Sequence, residues 1–130
     1  MRIDIHPDAE KAGFYRITPH GSIDSDTYQE FQSKVNPVVD AKTKGILIDL
    51  EQCEYISSAG LSVLFNLKKA LLANKGELLF CNLKPQIKRL FEIVKALPKE
   101  TLFGSIEEAD RYFYKIMNEE IAKQKGAKQG

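Results

Sequence analysis

Two adjacent serines, Ser57 and Ser58, are the strongest candidates for a functional site in this sequence. They stand in the stretch YISSAGLSVL, between a short apolar run and a leucine-rich segment with helical spacing. A serine at such a boundary is often a helix N-cap, and a cap needs only one hydroxyl. We expect Ser58 to lie in the first helical turn with its hydroxyl facing outward, which indicates a function beyond capping.

Two kinds of enzyme fit this stretch poorly. A serine hydrolase with a nucleophile elbow has the pattern G-x-S-x-G, and neither serine has a glycine two positions before it. His6 and His20 lie far upstream and give a catalytic triad no support. A phosphate-binding P-loop is excluded, because the stretch lacks the G-x-x-x-x-G-K-[ST] glycines and lysine.

A third possibility is that one serine accepts a phosphate. Phosphorylation adds a charge of about −1.5 to −2 at neutral pH. A helix N-terminus favours a nearby anion by about 0.3–1 kcal/mol, so the fold would tolerate the phosphate. A partner docked over the serine would meet charge repulsion and desolvation, and such a residue could therefore switch binding.

Composition predicts a soluble domain that binds neither nucleic acid nor membrane. The chain has 130 residues, 43% of them hydrophobic and 28% charged, which suits one domain with a single core. Its 19 basic and 18 acidic residues give a formal charge of +1, far from the basic excess of nucleic-acid-binding proteins. Apolar runs are only a few residues long and no secretory signal is visible, so we expect a cytoplasmic protein. Cys53 and Cys81 are expected to be reduced thiols with packing roles.

The first half of the chain predicts a hairpin, a helix and a buried strand. Residues 2–6 and 14–18 alternate apolar and polar side chains, which is typical of an antiparallel pair. A helix follows, with Asp24 and Ser25 as candidate N-caps, and Pro37 should kink or split it. Residues 45–50, GILIDL, indicate a central strand buried on both faces.

The second half predicts alternating helices and strands. Residues 61–75 are predicted to form an amphipathic helix, with one apolar stripe of Leu64, Leu67 and Leu71 flanked by Leu61, Phe65 and Leu72. Gly76 should supply the left-handed C-terminal cap of this helix. The pattern continues with a strand from Glu77 and a helix opened by Pro85. It ends with a brief strand at 101–105 and a last helix that follows a Ser105–Glu108 capping box. Its predicted inner face is Ala109, Tyr112, Phe113, Ile116 and Met117.

These elements predict an α/β fold with a mixed, mostly parallel sheet of about four to five strands and about four helices. We assign one domain to residues 1–120 and a flexible tail to residues 121–130, which carry glycines and polar residues without an apolar period. The double serine then lies beyond the carboxyl end of a strand, where open α/β sheets hold functional groups.

The stretch ILIDLEQCEYISSAGLSVL resembles the STAS domains, specifically the anti-sigma factor antagonists of bacterial partner-switching pathways. GSID, at 21–24, resembles the family's turn before its first helix, and the similarity extends over most of residues 1–120. The resemblance implies a STAS fold and makes Ser58 the phosphate acceptor. Ser57 is the reserve candidate, because the best-known members have Asp at that position. Asp24 is implied to help present the site, or else caps a helix, and Asp49 is expected to cap backbone N–H groups.

The resemblance also implies a mechanism without catalysis or cofactor in this chain. The unphosphorylated protein would bind an anti-sigma factor and serine kinase of the histidine-kinase-like ATPase type and release its sigma factor. Phosphorylation by that kinase would end the binding, and a PP2C-type phosphatase would restore it. The implied contact surface surrounds Ser57 and Ser58 and includes the Asp24 turn and the outward face of the serine helix, with Ser62, Asn66 and Lys69. The alternative is an unphosphorylated STAS adaptor in a larger regulatory or transport assembly. We expect a monomer.

Overall fold

The structure is a computed structural model that describes residues 1–96 and 106–129. Strand β1 spans Arg2–Pro7 and strand β2 spans Phe14–His20; helix α1 covers Tyr28–Val35 and is followed by a 3₁₀ turn at Asn36–Val38. Strand β3 is Gly45–Asp49, helix α2 is Ser58–Ala73 and strand β4 is Glu77–Cys81. Helices α3, Pro85–Ala96, and α4, Ile106–Gln129, complete the described chain.

The described strands form one mixed sheet in the order β1-β2-β3-β4. Strands β1 and β2 pair antiparallel, whereas β2 with β3 and β3 with β4 pair parallel. Parallel neighbours need a crossover, and α1 and α2 provide it, because each lies between two parallel strands in the sequence. The predicted α/β class, the entry hairpin and the four-helix, mostly parallel arrangement are confirmed.

One face of the sheet carries the core, because alternate residues of each strand point toward the helices. Ile17 on β2 and Ile46 and Ile48 on β3 are at most 1% exposed. The helices meet them with their own buried side chains: Phe31, Val35, Leu64, Leu67, Leu71, Ile87, Leu90 and Met117. Strand β3 lies between β2 and β4 and is buried over nearly its whole length, as GILIDL predicted.

Helix α1 begins later than predicted. Its N-cap position is Thr27, not Asp24 or Ser25, because Asp24 forms a turn of its own before the helix. The Asp24 carbonyl accepts hydrogen bonds from the N–H groups of Thr27 and Tyr28, which carries the chain into the first helical turn. The prediction that Pro37 splits the helix is confirmed, since α1 ends at Val35 and the 3₁₀ turn contains the proline.

Helix α2 ends in a different way from the prediction. Lys75, with φ of 59°, takes the left-handed position that was assigned to Gly76. The N–H of Lys75 donates to the Leu72 carbonyl and that of Gly76 to the Leu71 carbonyl, which is a Schellman motif shifted by one residue. Gly76 serves a close approach instead, because a Cβ there would lie 3.0 Å from the Lys44 carbonyl oxygen.

The predicted apolar stripe of α2 is partly wrong at its edges. Leu61 is buried, but Phe65 is 48% and Leu72 is 59% exposed, since no described element packs over that side. On α4, Ile116 and Met117 are buried as predicted. The predicted strand 101–105 and the Ser105 cap lie outside the described residues. The backbone is helical to Gln129, through most of the predicted tail, and the tail's flexibility stays a prediction.

Candidate functional site

Ser57 is the N-cap of helix α2, and its side chain is committed to that role. The Ser57 hydroxyl oxygen accepts a hydrogen bond from the N–H of Gly60 at 3.2 Å, and its carbonyl accepts one from Leu61 at 2.8 Å. Only 1% of Ser57 is exposed. The extended backbone of Ser57, with φ of −83° and ψ of 174°, is typical of an N-cap. The predicted capping role is confirmed.

Ser58 is the first residue of α2 and is partly exposed. It is the member of the pair that lies at the protein surface. Its carbonyl accepts a hydrogen bond from the Ser62 hydroxyl at 3.0 Å, one helical turn later. The structure therefore separates the two serines: one is buried within a cap, and the other is partly exposed at the helix N-terminus.

The segment around Ile23 is tied by its backbone to the start of α2. The N–H of Ser57 donates to the Ile23 carbonyl at 2.9 Å, and the N–H of Ile23 donates to the Tyr55 carbonyl at 3.0 Å. Ile23 thus forms an isolated parallel bridge with Ile56 beside the sheet. These bonds bring Asp24, which shares its peptide group with the Ile23 carbonyl, next to the double serine.

Gly60 makes this contact possible. A Cβ on Gly60 would lie 2.4 Å from the Ile23 carbonyl oxygen and 2.7 Å from its Cγ2 atom, distances that real contacts do not reach. The glycine of SSAGL therefore has a packing reason, which the sequence pattern alone did not reveal. It allows the chain at Ile23 to cross directly over the first turn of α2.

Asp24 forms a compact turn at the edge of the site. Its Oδ1 atom accepts hydrogen bonds from the N–H groups of Asp26 at 2.9 Å and Thr27 at 3.2 Å. Its own N–H donates to the Thr27 hydroxyl at 2.9 Å. Within the described residues these bonds use only one oxygen of the carboxylate, so Asp24 fixes the turn and presents its other oxygen at the half-exposed surface.

The remaining predicted contact residues share one exposed helix face. Ser62, Asn66 and Lys69 are all exposed on α2, as their spacing predicted. Apart from the bond of Ser62 to the Ser58 carbonyl, the described part of the chain offers them no hydrogen bond or ion pair. Ser58, this face and the Asp24 turn are thus brought together on one side of the domain.

Helix α3 holds the loop that leads to the serines, a contact that the sequence did not indicate. Glu54 forms an ion pair with Lys84 and accepts a hydrogen bond from the Gln86 side chain at 3.3 Å. Gln86 is only 4% exposed and also approaches the Glu54 carbonyl at 3.4 Å. Gln86, a polar residue in the first turn of an otherwise apolar helix face, was the sequence feature that could have indicated this contact.

Helix α4 contacts the same loop through aromatic side chains. The Tyr55 hydroxyl donates to Asn118 Oδ1 at 2.9 Å, and the Tyr55 ring lies 5.4 Å from that of Tyr114 between centroids. Tilted aromatic pairs at this separation attract each other by about 0.5–1.5 kcal/mol beyond their burial. Tyr55 therefore links the segment just before the two serines to helix α4.

Asp49 ends strand β3 as a buried carboxylate with three donors. Its Oδ2 accepts from Arg16 Nη2, and its Oδ1 accepts from the Glu51 N–H at 3.0 Å and Asn82 Nδ2 at 3.1 Å. Burial alone would raise the pKa of Asp49, but the hydrogen bonds from Arg16, Glu51 and Asn82 outweigh it and lower the pKa. The expectation that Asp49 caps a backbone N–H is confirmed.

Neither cysteine is poised for chemistry, and both are free thiols. Burial raises the pKa of Cys53 to about 11, and burial together with the Asp49 charge raises that of Cys81. A protonated thiol is a poor nucleophile. Among the described residues no group of histidine, cysteine and acidic side chains could hold a metal ion, and no helix is long and apolar enough to cross a membrane.

The fold and the position of the serines define an α/β domain with a hydroxyl site at a helix N-terminus. The STAS domain model matches residues 6–109 of the chain. The anti-sigma-B factor antagonist of Staphylococcus aureus is 34% identical over 80 residues, 62% of this chain and 74% of that protein. The chain therefore belongs to the STAS domain family, in the branch of the anti-sigma factor antagonists, as the resemblance implied.

Two further comparisons agree with this assignment. The candidate anti-sigma factor antagonist BtrV of Bordetella bronchiseptica is 36% identical over 73 residues, 56% of this chain; the match spans 63% of the length of BtrV. Among solved structures, the anti-sigma factor antagonist SpoIIAA in its unphosphorylated form superimposes with a TM-score of 0.60 at 15% identity, covering 71% of this chain and 81% of that one. The structural likeness supports the fold.

Proposed function

We propose that this protein is an anti-sigma factor antagonist that works by phosphorylation-controlled partner switching in the cytoplasm. The unphosphorylated domain binds an anti-sigma factor that is also a serine kinase of the histidine-kinase-like ATPase type, and so frees a sigma factor. Phosphorylation of Ser58 ends the binding. The observation that carries the proposal is the separation of the two serines, since Ser57 is buried in the cap and Ser58 is at the surface.

The chemistry belongs to the partners, and this chain is their substrate. The kinase transfers the γ-phosphoryl group of ATP to the Ser58 hydroxyl oxygen, ADP leaves, and the hydroxyl proton passes to a base or water in the kinase site. A PP2C-type phosphatase then hydrolyses the ester with water, which restores the hydroxyl and releases inorganic phosphate. ATP and its magnesium ion are ligands of the kinase, and the antagonist needs no cofactor.

The proposed contact surface is the side of the domain that contains Ser58, the outward face of α2 and the Asp24 turn. Ser62, Asn66 and Lys69 offer polar groups with few internal partners. The backbone bonds between Ile23 and Ser57 support the participation of Asp24, because they hold its turn beside the helix N-terminus. A phosphate at Ser58 would stand in the middle of such a surface, where a docked protein would have to desolvate it.

The test is a binding assay with the kinase candidate encoded in the same organism. The purified wild-type protein, Ser58→Ala and Ser58→Glu serve as ligands, and Ser33→Ala is the control, since it removes an exposed hydroxyl from α1, outside the proposed contact surface. We expect Ser58→Ala to bind at least as well as the wild type and Ser58→Glu to lose binding about tenfold or more, which corresponds to about 1.4 kcal/mol. Phosphate incorporation from labelled ATP should disappear in Ser58→Ala and persist in Ser33→Ala.

Two outcomes would overturn parts of the proposal. If the label stays in Ser58→Ala and disappears only in Ser57→Ala, the acceptor is the reserve candidate. If none of the variants is phosphorylated and all recover the same partners equally, Ser58 is no switch, and the adaptor function in a larger assembly replaces the proposal. Light scattering of the free protein tests the expected monomer.

A further inference from the structure

A groove on the helix side of the domain lies between α2 and α3 and has strand β4 as its floor. It encloses about 400 Å³, which is within the range of about 300–1,000 Å³ typical of small-molecule sites. Among the residues that the structure describes, seven line it: Leu61, Leu64, Phe65, Lys68, Leu78, Phe80 and Phe91.

The walls of the groove are almost wholly apolar and partly aromatic. Phe80 and Phe91 meet edge to face, with ring centroids 5.1 Å apart, and fix the α3 side of the groove. Phe65 forms part of the α2 side and is 48% exposed, an unusual position for so large an apolar side chain. An apolar ligand in the groove would remove this ring surface from water, which gives a binding free energy to a hydrocarbon chain.

Lys68 is the one charged residue among the seven that line the groove. In the part of the chain that the structure describes, no hydrogen bond or ion pair engages its ammonium group, whereas Lys84 pairs with Glu54 and the Lys44 ammonium group donates to the Asn74 carbonyl. Its aliphatic stem can lie along the apolar wall while the charge stays in water. An apolar groove with one unpaired cation on its wall is complementary to an amphiphile with one anionic end.

We propose that this groove binds an amphiphilic monocarboxylate, of the class of medium-chain fatty acids. The hydrocarbon chain lies between Phe65 and the Phe80–Phe91 pair over Leu78, and the carboxylate pairs with the Lys68 ammonium group. Negative charge suits this cation, and a single carboxylate leaves no second polar group inside apolar walls. The proposal concerns binding alone and does not depend on phosphorylation of Ser58.

The test is titration calorimetry of the full chain with laurate below its micellar concentration, with lauryl alcohol and laurylamine as neutral and cationic probes of the same length. We expect laurate to bind best and laurylamine worst. Lys68→Gln should weaken laurate about two- to fivefold, the range of an exposed ion pair, and leave lauryl alcohol unchanged. Lys69→Gln, which changes the neighbouring exposed lysine, should leave both affinities unchanged.

Two exposed apolar residues of α2 give the control for the groove itself. Phe65→Ala should weaken laurate and lauryl alcohol alike, by about fivefold or more, because it removes one wall. Leu72→Ala, on the same helix but outside the lining, should change neither. Both wild-type positions are largely exposed, so both variants are expected to fold, and circular dichroism verifies it.

Three results would overturn the proposal. Equal affinity for laurate and laurylamine would remove the role of Lys68. Equal effects of Phe65→Ala and Leu72→Ala would show non-specific adsorption to the helix surface. Absence of laurate binding, together with nuclear Overhauser contacts between groove side chains and residues 97–105, would mean that the chain itself fills the groove.

Discussion

Replacement of Gly60 by alanine sets two energy terms of opposite sign against each other. Gly60 is the third residue of α2, and alanine is favoured over glycine within helices by about 1 kcal/mol. The structure predicts the opposite result, since the new Cβ would lie 2.4 Å from the Ile23 carbonyl oxygen and 3.1 Å from its carbonyl carbon. Backbone atoms cannot rotate away as a flexible side chain would, so the Ile23 segment must move.

The size of the effect follows from what that movement breaks. Overpacking in a tightly packed region destabilises by about 1–3 kcal/mol. The Ile23 carbonyl also accepts the hydrogen bond from the Ser57 N–H, and a buried bond of this kind contributes about 0.5–1.5 kcal/mol. After the helix gain is subtracted, we expect Gly60→Ala to lower the free energy of unfolding by about 0.5–3.5 kcal/mol.

Urea unfolding followed by circular dichroism measures this free energy. Ser62→Ala is the matched control, because it also introduces alanine on α2 but at an exposed position. We expect the control to change stability by about 0.5 kcal/mol or less. A Gly60→Ala protein as stable as the wild type, or more so, would refute the argument that Ile23 and Gly60 are in forced contact.

The remaining predictions concern a cap, a switch, a buried carboxylate and a tyrosine. Ser57→Ala should lower the free energy of unfolding by about 1 kcal/mol through loss of the N-cap bond, whereas Ser58→Glu should leave it unchanged or slightly higher, as urea unfolding will show. The lowered pKa of Asp49 means that its carboxylate stabilises the fold above the unfolded-state value of 3.8 and that this contribution is lost as the pH falls through the native value. Asp49→Asn should therefore destabilise at neutral pH and flatten the acid limb of a stability–pH curve. Tyr55→Phe, which removes the hydroxyl bonded to Asn118, should lower stability by about 0.5–1 kcal/mol in the same unfolding assay.

The predictions for Asp49 and Tyr55 each have a control in the chain. Asp26→Asn changes an exposed carboxylate and should preserve the acid limb, and an equally steep limb in Asp49→Asn would contradict the Asp49 assignment. Asn118→Ala should reproduce the loss seen in Tyr55→Phe, and the double variant should add little to it. Additive losses would mean that the two residues act independently.

Local patterns predicted most of the fold, because period and turn chemistry act over a few residues. GILIDL indicated a central strand, Pro37 marked the helix break, and the serine at the boundary was the cap. The start of α1 was misplaced because the Asp24 carboxylate and the Thr27 hydroxyl bond to each other's backbone N–H groups in a turn before the helix, and both are good cap residues by type. The exposure of Phe65 could not be foreseen, since helical period gives the direction of a stripe but not the width that neighbours cover.

The site was predictable at its centre and not at its periphery. SSAGL identified the helix N-terminus and placed both serines correctly at the boundary. The bridge from Ile23, the Glu54–Gln86 bond and the Tyr55–Asn118 bond join residues that are distant in sequence, and single residues carry no signal for such pairings. The packing role of Gly60 could not be predicted either, because it depends on the position of Ile23, which only the fold provides.

The proposed division of work between the serines has an energetic reason. A residue whose modification must leave the fold intact cannot also be a buried part of it, because a phosphate on Ser57 would require a doubly charged group at a position that is 1% exposed. At Ser58 the same charge meets the positive end of the helix dipole, a gain of about 0.3–1 kcal/mol at an exposed terminus. Desolvation of the phosphate and charge repulsion would then destabilise mainly a complex that covers it. With the cap on one residue and the proposed phosphate acceptor on the next, folding and partner binding would vary independently, and that independence is what a switch requires.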